Sequence, residues 1–190
     1  MTQPAAKRPA TKVFKVIGLL VLSLFVLQIL LDCIALVTHT LAQHRAQKDL
    51  ENAKILWENR DIQNYSLHVR GMVPLGCIYD AILTIRQGEL VEVLSRSDSS
   101  ENSPYEVRDK REWDSCQYAR FTVPQVFQDT EDGLKSLDLF NQQPQIVFDP
   151  TYGYVRQYGF PYVQGYGLLS NGQVWDCCAR FEFSEFQPLP

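Results

Sequence analysis

The sequence predicts an α+β domain: a mostly antiparallel sheet of about six strands with one or two packed helices, preceded by a single N-terminal transmembrane helix. Three observations carry that expectation. An oily run from Val16 to Val37 follows Lys7, Arg8, Lys12 and Lys15, with no acidic residue among them. Beyond it, segments with the two-residue alternation of half-buried strands are joined by turn sequences such as Gln87-Gly88 and Ser170-Asn171-Gly172. A segment of helical spacing from Thr122 to Leu137 separates two groups of such strands. Strands joined by tight turns and interrupted by single helices indicate α+β architecture.

The oily run covers 22 residues, a helix of about 33 Å against a hydrocarbon core of about 30 Å. Asp32 is its awkward member, because a carboxylate at the bilayer centre costs about 2.5–3.5 kcal/mol. It falls three-quarters of the way along, toward the outer interface. The basic flank is the end held in the cytoplasm. The chain therefore divides into a basic cytoplasmic tail (1–15), a transmembrane signal-anchor (16–40) and an extracytoplasmic domain (41–190) of a single-pass protein of the cell membrane. The competing reading is a cleaved signal peptide, with Thr40-Leu41-Ala42 as a weak cleavage site. Signal peptides, however, have apolar cores of about 7–15 residues. Leu30-Leu31-Asp32-Cys33 is not a lipoprotein signal, since Asp32 stands where a small residue is required, and Cys33 reads as a membrane thiol.

A chain of 190 residues, 45% hydrophobic and 12% aromatic, can bury one well-packed core beyond the anchor. All but four of the 18 basic residues and all but Asp32 of the 22 acidic ones lie from Leu41 onward, so that region is net acidic. Such a surface repels phosphate backbones, which argues against nucleic acid as a partner. Four of the five cysteines, Cys77, Cys116, Cys177 and Cys178, lie beyond the anchor, where disulfides form. Two bridges would have three connectivities. Paired CxxC knuckles are missing, and only His68 lies beyond the stalk helix, so no metal site is expected. Neither a phosphate-binding glycine loop nor a dinucleotide fingerprint occurs, so no cofactor is expected.

Ala46, Leu50, Ala53 and Trp57 recur at spacings of four, three and four, the stripe of a stalk helix that continues the anchor and docks through Trp57. Lys54 and Glu58 stand four apart and can pair along its exposed side. Tyr65, Leu67, Val69 and Val73 alternate with Ser66, His68 and Arg70, as in a strand. Ala81, Leu83 and Ile85 form one arm of a hairpin, and Leu90 to Leu94 the other. The polar stretch from Ser95, with its charged continuation to Asp114, reads as an exposed loop. Thr122-Val123-Pro124-Gln125 has the form of a capping box with proline in the first turn, and Val126, Phe127, Thr130 and Leu134 follow at helical spacing. A short strand from Ile146 closes on the turn Asp149-Pro150-Thr151-Tyr152-Gly153. The longest strand runs from Val174 to Phe186.

Trp57, Tyr65 and Cys77, a hairpin, a capped helix before Leu139-Phe140, and the Val147-Phe148-Asp149-Pro150-Thr151-Tyr152-Gly153-Tyr154 stretch recur as a pattern. With Asp176 and Phe183 in the last strand, the chain resembles a bacterial family of small exported or membrane-anchored α+β domains of unknown function. The resemblance covers residues 48–186. Val155 stands where the family's turn has proline, and the Ser95 to Asp114 insertion is additional. It implies a fold and an extracytoplasmic address, and no activity.

Two groups of residues stand out chemically. Cys177-Cys178 is unusual, because neighbouring Cα atoms are about 3.8 Å apart while disulfides prefer about 4.4–6.8 Å. A vicinal bond would be strained and redox-active. In a regular strand the two thiols face opposite ways, and each then pairs elsewhere or stays free. Cys77 with Cys116 is the first pairing to expect. Tyr152, Tyr154, Tyr158, Tyr162 and Tyr166, interleaved with glycines, would stack on sugars or peptides if exposed; alternating tyrosines also build sheets. His68 with Asp149 or Asp176 would be the start of a hydrolytic constellation, but no nucleophile elbow accompanies it.

These readings converge on a membrane-anchored, non-enzymatic binding or structural module of the cell envelope, whose partner would be an envelope protein or glycan. A thiol-redox protein using Cys177-Cys178 is the alternative, and an envelope hydrolase the least supported.

Overall fold

The computed structural model describes residues 10–72, 78–96, 103–137, 144–159, 162–163, 174–175 and 180–190. Helix α1 runs without interruption over Ala10–Glu58, 49 residues. After Gly18 it contains no glycine or proline, so nothing in the sequence breaks its hydrogen-bond ladder. It ends where Asn59, Arg60 and Asp61 bond back to Ile55, Trp57 and Glu58, with Asp61 at φ 47°. The two halves of α1 have opposite surroundings. Apolar side chains from Ile17 to Val37 stand exposed, Leu19 at 71%, whereas Leu50, Ala53 and Trp57 enter the core, Leu50 at 3%. The apolar segment and the stalk are thus one helix, long and apolar enough to cross a membrane.

The strands are β1 (Tyr65–Met72), β2 (Ile78–Arg86), β3 (Glu89–Arg96), β4 (Tyr105–Val107), β5 (Val147–Phe148), β6 (Val155–Tyr158), β7 (Tyr162–Val163), β8 (Val174–Trp175) and β9 (Arg180–Pro188). Helices α2 (Lys110–Cys116) and α3 (Val123–Lys135) are joined by a 3-10 turn, Tyr118–Phe121. Seven strands form one sheet in the order β4-β3-β2-β1-β9-β6-β5, and β7 pairs with β8. Every pairing is antiparallel. The class is as expected: among the described residues the main sheet has seven strands rather than about six, and α2 and α3 are two packed helices beside the long N-terminal α1. The additions come from the insertion read as a loop, which supplies β4 and α2. The expected strand from Val174 to Phe186 is described as β8 and β9, with 176–179 outside the described residues.

Alternation sets the two faces. Tyr65, Leu67 and Val69, then Ala81, Leu83 and Ile85, then Phe181 and Phe183 point inward and are buried. Against them pack Trp57 of α1, Phe121 of the 3-10 turn, and Val126, Phe127 and Leu134 of α3. Among the described residues the helices contribute to this one core, and the opposite face of β1, β2 and β9 carries polar side chains.

Two local expectations are corrected. Thr122 does not cap α3; its hydroxyl donates to the Ala119 carbonyl at 3.1 Å. The first-turn N–H of Val123 instead donates to the Tyr65 hydroxyl at 3.0 Å, so a strand caps the helix. A capping box does form at Asp109 and Glu112, where α2 begins. Lys54 reaches across to Glu131 of α3 rather than along α1 to Glu58. Toward the N-terminal end of the same contact, the Gln43 amide donates to the Leu134 carbonyl at 2.7 Å.

The turn after β5 docks on α1. Asp149 accepts from the backbone of Thr151 and Tyr152, both at 2.9 Å, and Gly153 adopts φ +84°. A Cβ on Gly153 would sit 2.4 Å from the Ala53 carbonyl oxygen, so the turn can lie this close to α1 only because the residue is glycine.

Candidate functional site

The outer face of the sheet centres on His68. Its ring is one residue out of phase with the core residues Leu67 and Val69, which places it among outward side chains. Neighbouring polar groups bury it to 5% exposure. His68 Nε2 lies 2.7 Å from Asp80 Oδ1, and the Tyr105 hydroxyl donates to that same oxygen at 2.8 Å. Arg96 flanks the other carboxylate oxygen at 3.7 Å and lays its guanidinium 4.7 Å from the Tyr105 ring centroid. Five-sixths of the Asp80 side chain is covered, its exposure being 16%.

A bulge in β9 completes the cluster. Ser66 pairs with Gln187 while His68 pairs with Ser184, so β9 spends one more residue than β1 over this interval. Glu185, at φ 50°, absorbs the extra residue. Ser184 and Glu185 consequently both approach His68 Nδ1, at 3.4 and 3.7 Å, while Phe186 turns inward onto the aromatic core.

The electrostatics follow from these contacts. Burial pushes the Asp80 carboxyl up, but hydrogen bonds from His68 and Tyr105 and the nearby charges of His68 and Arg96 outweigh it, leaving the group below the usual carboxylate range. Burial raises the Tyr105 hydroxyl, reinforced by its hydrogen bond to the Asp80 carboxylate and by that negative charge. The imidazole thus lies between the Asp80 carboxylate at Nε2 and Ser184 with Glu185 at Nδ1.

Serine, imidazole and carboxylate in that order resemble a catalytic relay, yet the surroundings differ from one. Ser184 lies inside a strand rather than on an exposed elbow, and its hydroxyl is at the long limit of a hydrogen bond to a nearly buried ring. The arrangement orients an imidazole and fixes polar groups on a sheet face. Among the described residues no group of three His, Cys, Asp or Glu is arranged to hold a metal.

The expected partners of His68 fall elsewhere. Asp149 spends its carboxylate on the turn above α1, and Asp176 lies outside the described residues. Of the tyrosines, Tyr154 is buried, stacked 4.8 Å from Phe186, and Tyr152 packs 4.9 Å from the same ring. Tyr158 is half-buried, with its hydroxyl donating to the Asp129 carbonyl at 3.3 Å. Tyr162 belongs to β7, and Tyr166 lies outside the described residues. The three tyrosines whose side chains are described thus build the core and its rim. Cys77, Cys177 and Cys178 also lie outside the described residues. Cys33 is a free thiol and Cys116 is not, and no cysteine pair occurs among the described residues.

Asp80 was legible in part. Ala81, Leu83 and Ile85 point inward, so Asp80 must share the outer face with His68. Tyr105 and Ser184 reach His68 through strand neighbours far apart in sequence, which no local pattern reveals.

A separate open cleft of about 570 Å³ lies between the β2–β3 turn and α2, lined by Glu89, Leu90, Lys110, Trp113 and Arg120. The fold and these sites define a class: an α+β domain carried on a single long apolar helix. Comparison with known protein families, with characterised proteins and with solved structures finds no match.

Proposed function

We propose that the chain is a single-pass membrane protein whose extracytoplasmic domain is a non-enzymatic binding module of the cell envelope. The observation that carries this reading is the continuity of α1. One helix exposes its apolar first half and gives Leu50, Ala53 and Trp57 to the domain core, so the domain is held rigidly close to a bilayer. The cations before the span favour a cytoplasmic N-terminus. A bonded rather than free sulfur at Cys116 suits an oxidising compartment.

The binding surface in this reading is the outer sheet face. The exposed side chains of Arg70 and Glu182 sit opposite one another across β1 and β9, beside the His68 cluster. That mixture of fixed charge and hydrogen-bonding groups fits a polar partner, an envelope protein or a glycan. The test is a photo-crosslinking residue at Arg70 of the full chain in cells, with one at Gln128 on the helical side as control. A discrete adduct at Arg70 alone is expected. Absence of any adduct there, or ester or peptide hydrolysis that Ser184→Ala abolishes, contradicts the proposal.

A further inference from the structure

The membrane half of α1 carries an unspent hydrogen-bonding pair. Its hydroxyls are satisfied within the helix: Ser23 donates to Leu20, Thr38 to Ala35 and Thr40 to Leu36, at 2.8, 2.8 and 2.9 Å. Gln28 and Asp32 differ. The Gln28 amide donates to Asp32 Oδ1 at 2.9 Å, one turn on, and makes no other hydrogen bond among the described residues. One amide N–H and the amide oxygen therefore remain unpaired, near the middle of a segment where lipid offers neither donor nor acceptor.

These residues lie on one seam. Gly18, Phe25 and Asp32 recur every seven residues, and Val21, Gln28 and Ala35 interleave with them, the a and d spacing of paired helices. Gly18 and Ala35 are small, and a Cβ added to Gly18 would meet nothing in its own chain. Small and amide residues on a common face are what membrane helices use to associate.

We propose that this seam is a homodimer interface, in which Gln28 of one copy pairs with Gln28 of a second. The inference rests on the transmembrane reading above. A second copy is the occupant that fits because two copies inserted with the same orientation are parallel, which brings identical residues to the same depth. A primary amide is self-complementary: each Gln28 donates its spare N–H to the other's oxygen while its first N–H still holds Asp32. Dimers so formed would present two binding domains side by side on one membrane face.

The experiment uses the full chain with C-terminal fluorescent donor or acceptor fusions, reconstituted in phosphatidylcholine–phosphatidylglycerol vesicles over a range of protein-to-lipid ratios. Wild type is expected to show energy transfer above that of random mixing. Gln28→Leu is expected to lower the association constant roughly three- to tenfold, the scale of one interhelical hydrogen bond in a membrane. Moving the amide to the far face, with Gln28→Leu and Leu30→Gln together, is expected to leave it equally low. Transfer at the random level, or transfer unchanged by Gln28→Leu, overturns the dimer. Alkaline carbonate extraction of the same vesicles separates the two levels. Protein retained but monomeric overturns the dimer alone, and protein released overturns the transmembrane reading with it.

Discussion

The Cα of Gly153 rests against the Ala53 carbonyl so closely that a methyl group there would approach the oxygen to 2.4 Å. This contact joins the turn after β5 to the helix that continues into the apolar N-terminal segment, so domain and segment are coupled through backbone as well as side chains. Gly153→Ala must both relieve that overlap and hold an L-residue at φ +84°. We expect a loss of about 2–4 kcal/mol, measured as a lowered denaturation midpoint with little change in slope.

Phe186 is the hub of the aromatic cluster, with ring centroids of Trp57, Tyr65, Tyr152 and Tyr154 at 5.7, 5.4, 4.9 and 4.8 Å. It reaches that position because the bulge at Glu185 restores its inward direction. Phe186→Ala is expected to cost about 3 kcal/mol, the low end for a buried aromatic, since its ring is only partly covered. Equilibrium unfolding of the full chain in detergent checks this.

Tyr65→Phe tests the strand-to-helix cap. It keeps the ring and removes the oxygen that accepts from Val123, leaving a buried N–H without its partner at a cost of about 1–3 kcal/mol. Burial, set only partly against that hydrogen bond, pushes the Tyr65 hydroxyl up to about 12, and burial with the nearby Asp129 charge does the same to Tyr158. A neutral acid whose folded pKa is raised contributes stability below its unfolded value near 10, and that stability is lost as pH rises through the folded value. Ultraviolet titration should place Tyr65 and Tyr158 among the tyrosines that ionise last, and Tyr65→Phe should remove one late-ionising group.

Asp80 governs the acid side. Its folded pKa lies below the unfolded value near 3.9, so its contribution is complete above that value and is lost as pH falls through the folded one. Asp80→Asn is expected to cost roughly 1–3 kcal/mol at neutral pH, the scale of hydrogen bonds to a charged group. The mutant's stability should also fall less steeply on acidification. An acid limb identical to wild type would mean that the His68 and Tyr105 contacts do not hold the carboxylate.

Much of the fold could be read from local pattern. The Leu50, Ala53 and Trp57 stripe, the alternation through Tyr65, Leu67 and Val69, and the Gln87-Gly88 turn each act within a few residues, and each appears where expected. Strand order is different in kind. That β9 lies between β1 and β6 follows from which faces must be buried together, a global constraint with no signature in a short window. The site inherits this limit, because Ser184 meets His68 only through β9 pairing. Helix α2 was missed because its buried contacts are few: within a charged stretch only Trp113 and Cys116 pack against the core, the Trp113 indole donating to the Arg108 carbonyl at 2.7 Å. The Thr122 pattern failed as a cap because its hydroxyl turns back to donate to the Ala119 carbonyl of the preceding 3-10 turn.

The measurement that bears most directly on the proposed role is surface labelling of the full chain in intact cells with a membrane-impermeant amine reagent, combined with alkaline extraction. Lys110 and Lys135 are exposed on the domain, whereas Lys7 and Lys12 precede the span. The prediction is that the domain lysines label in intact cells, the N-terminal ones label only after permeabilisation, and the protein stays with the membrane at alkaline pH. Domain lysines shielded until the cells are opened, or a chain released by alkali, would contradict it.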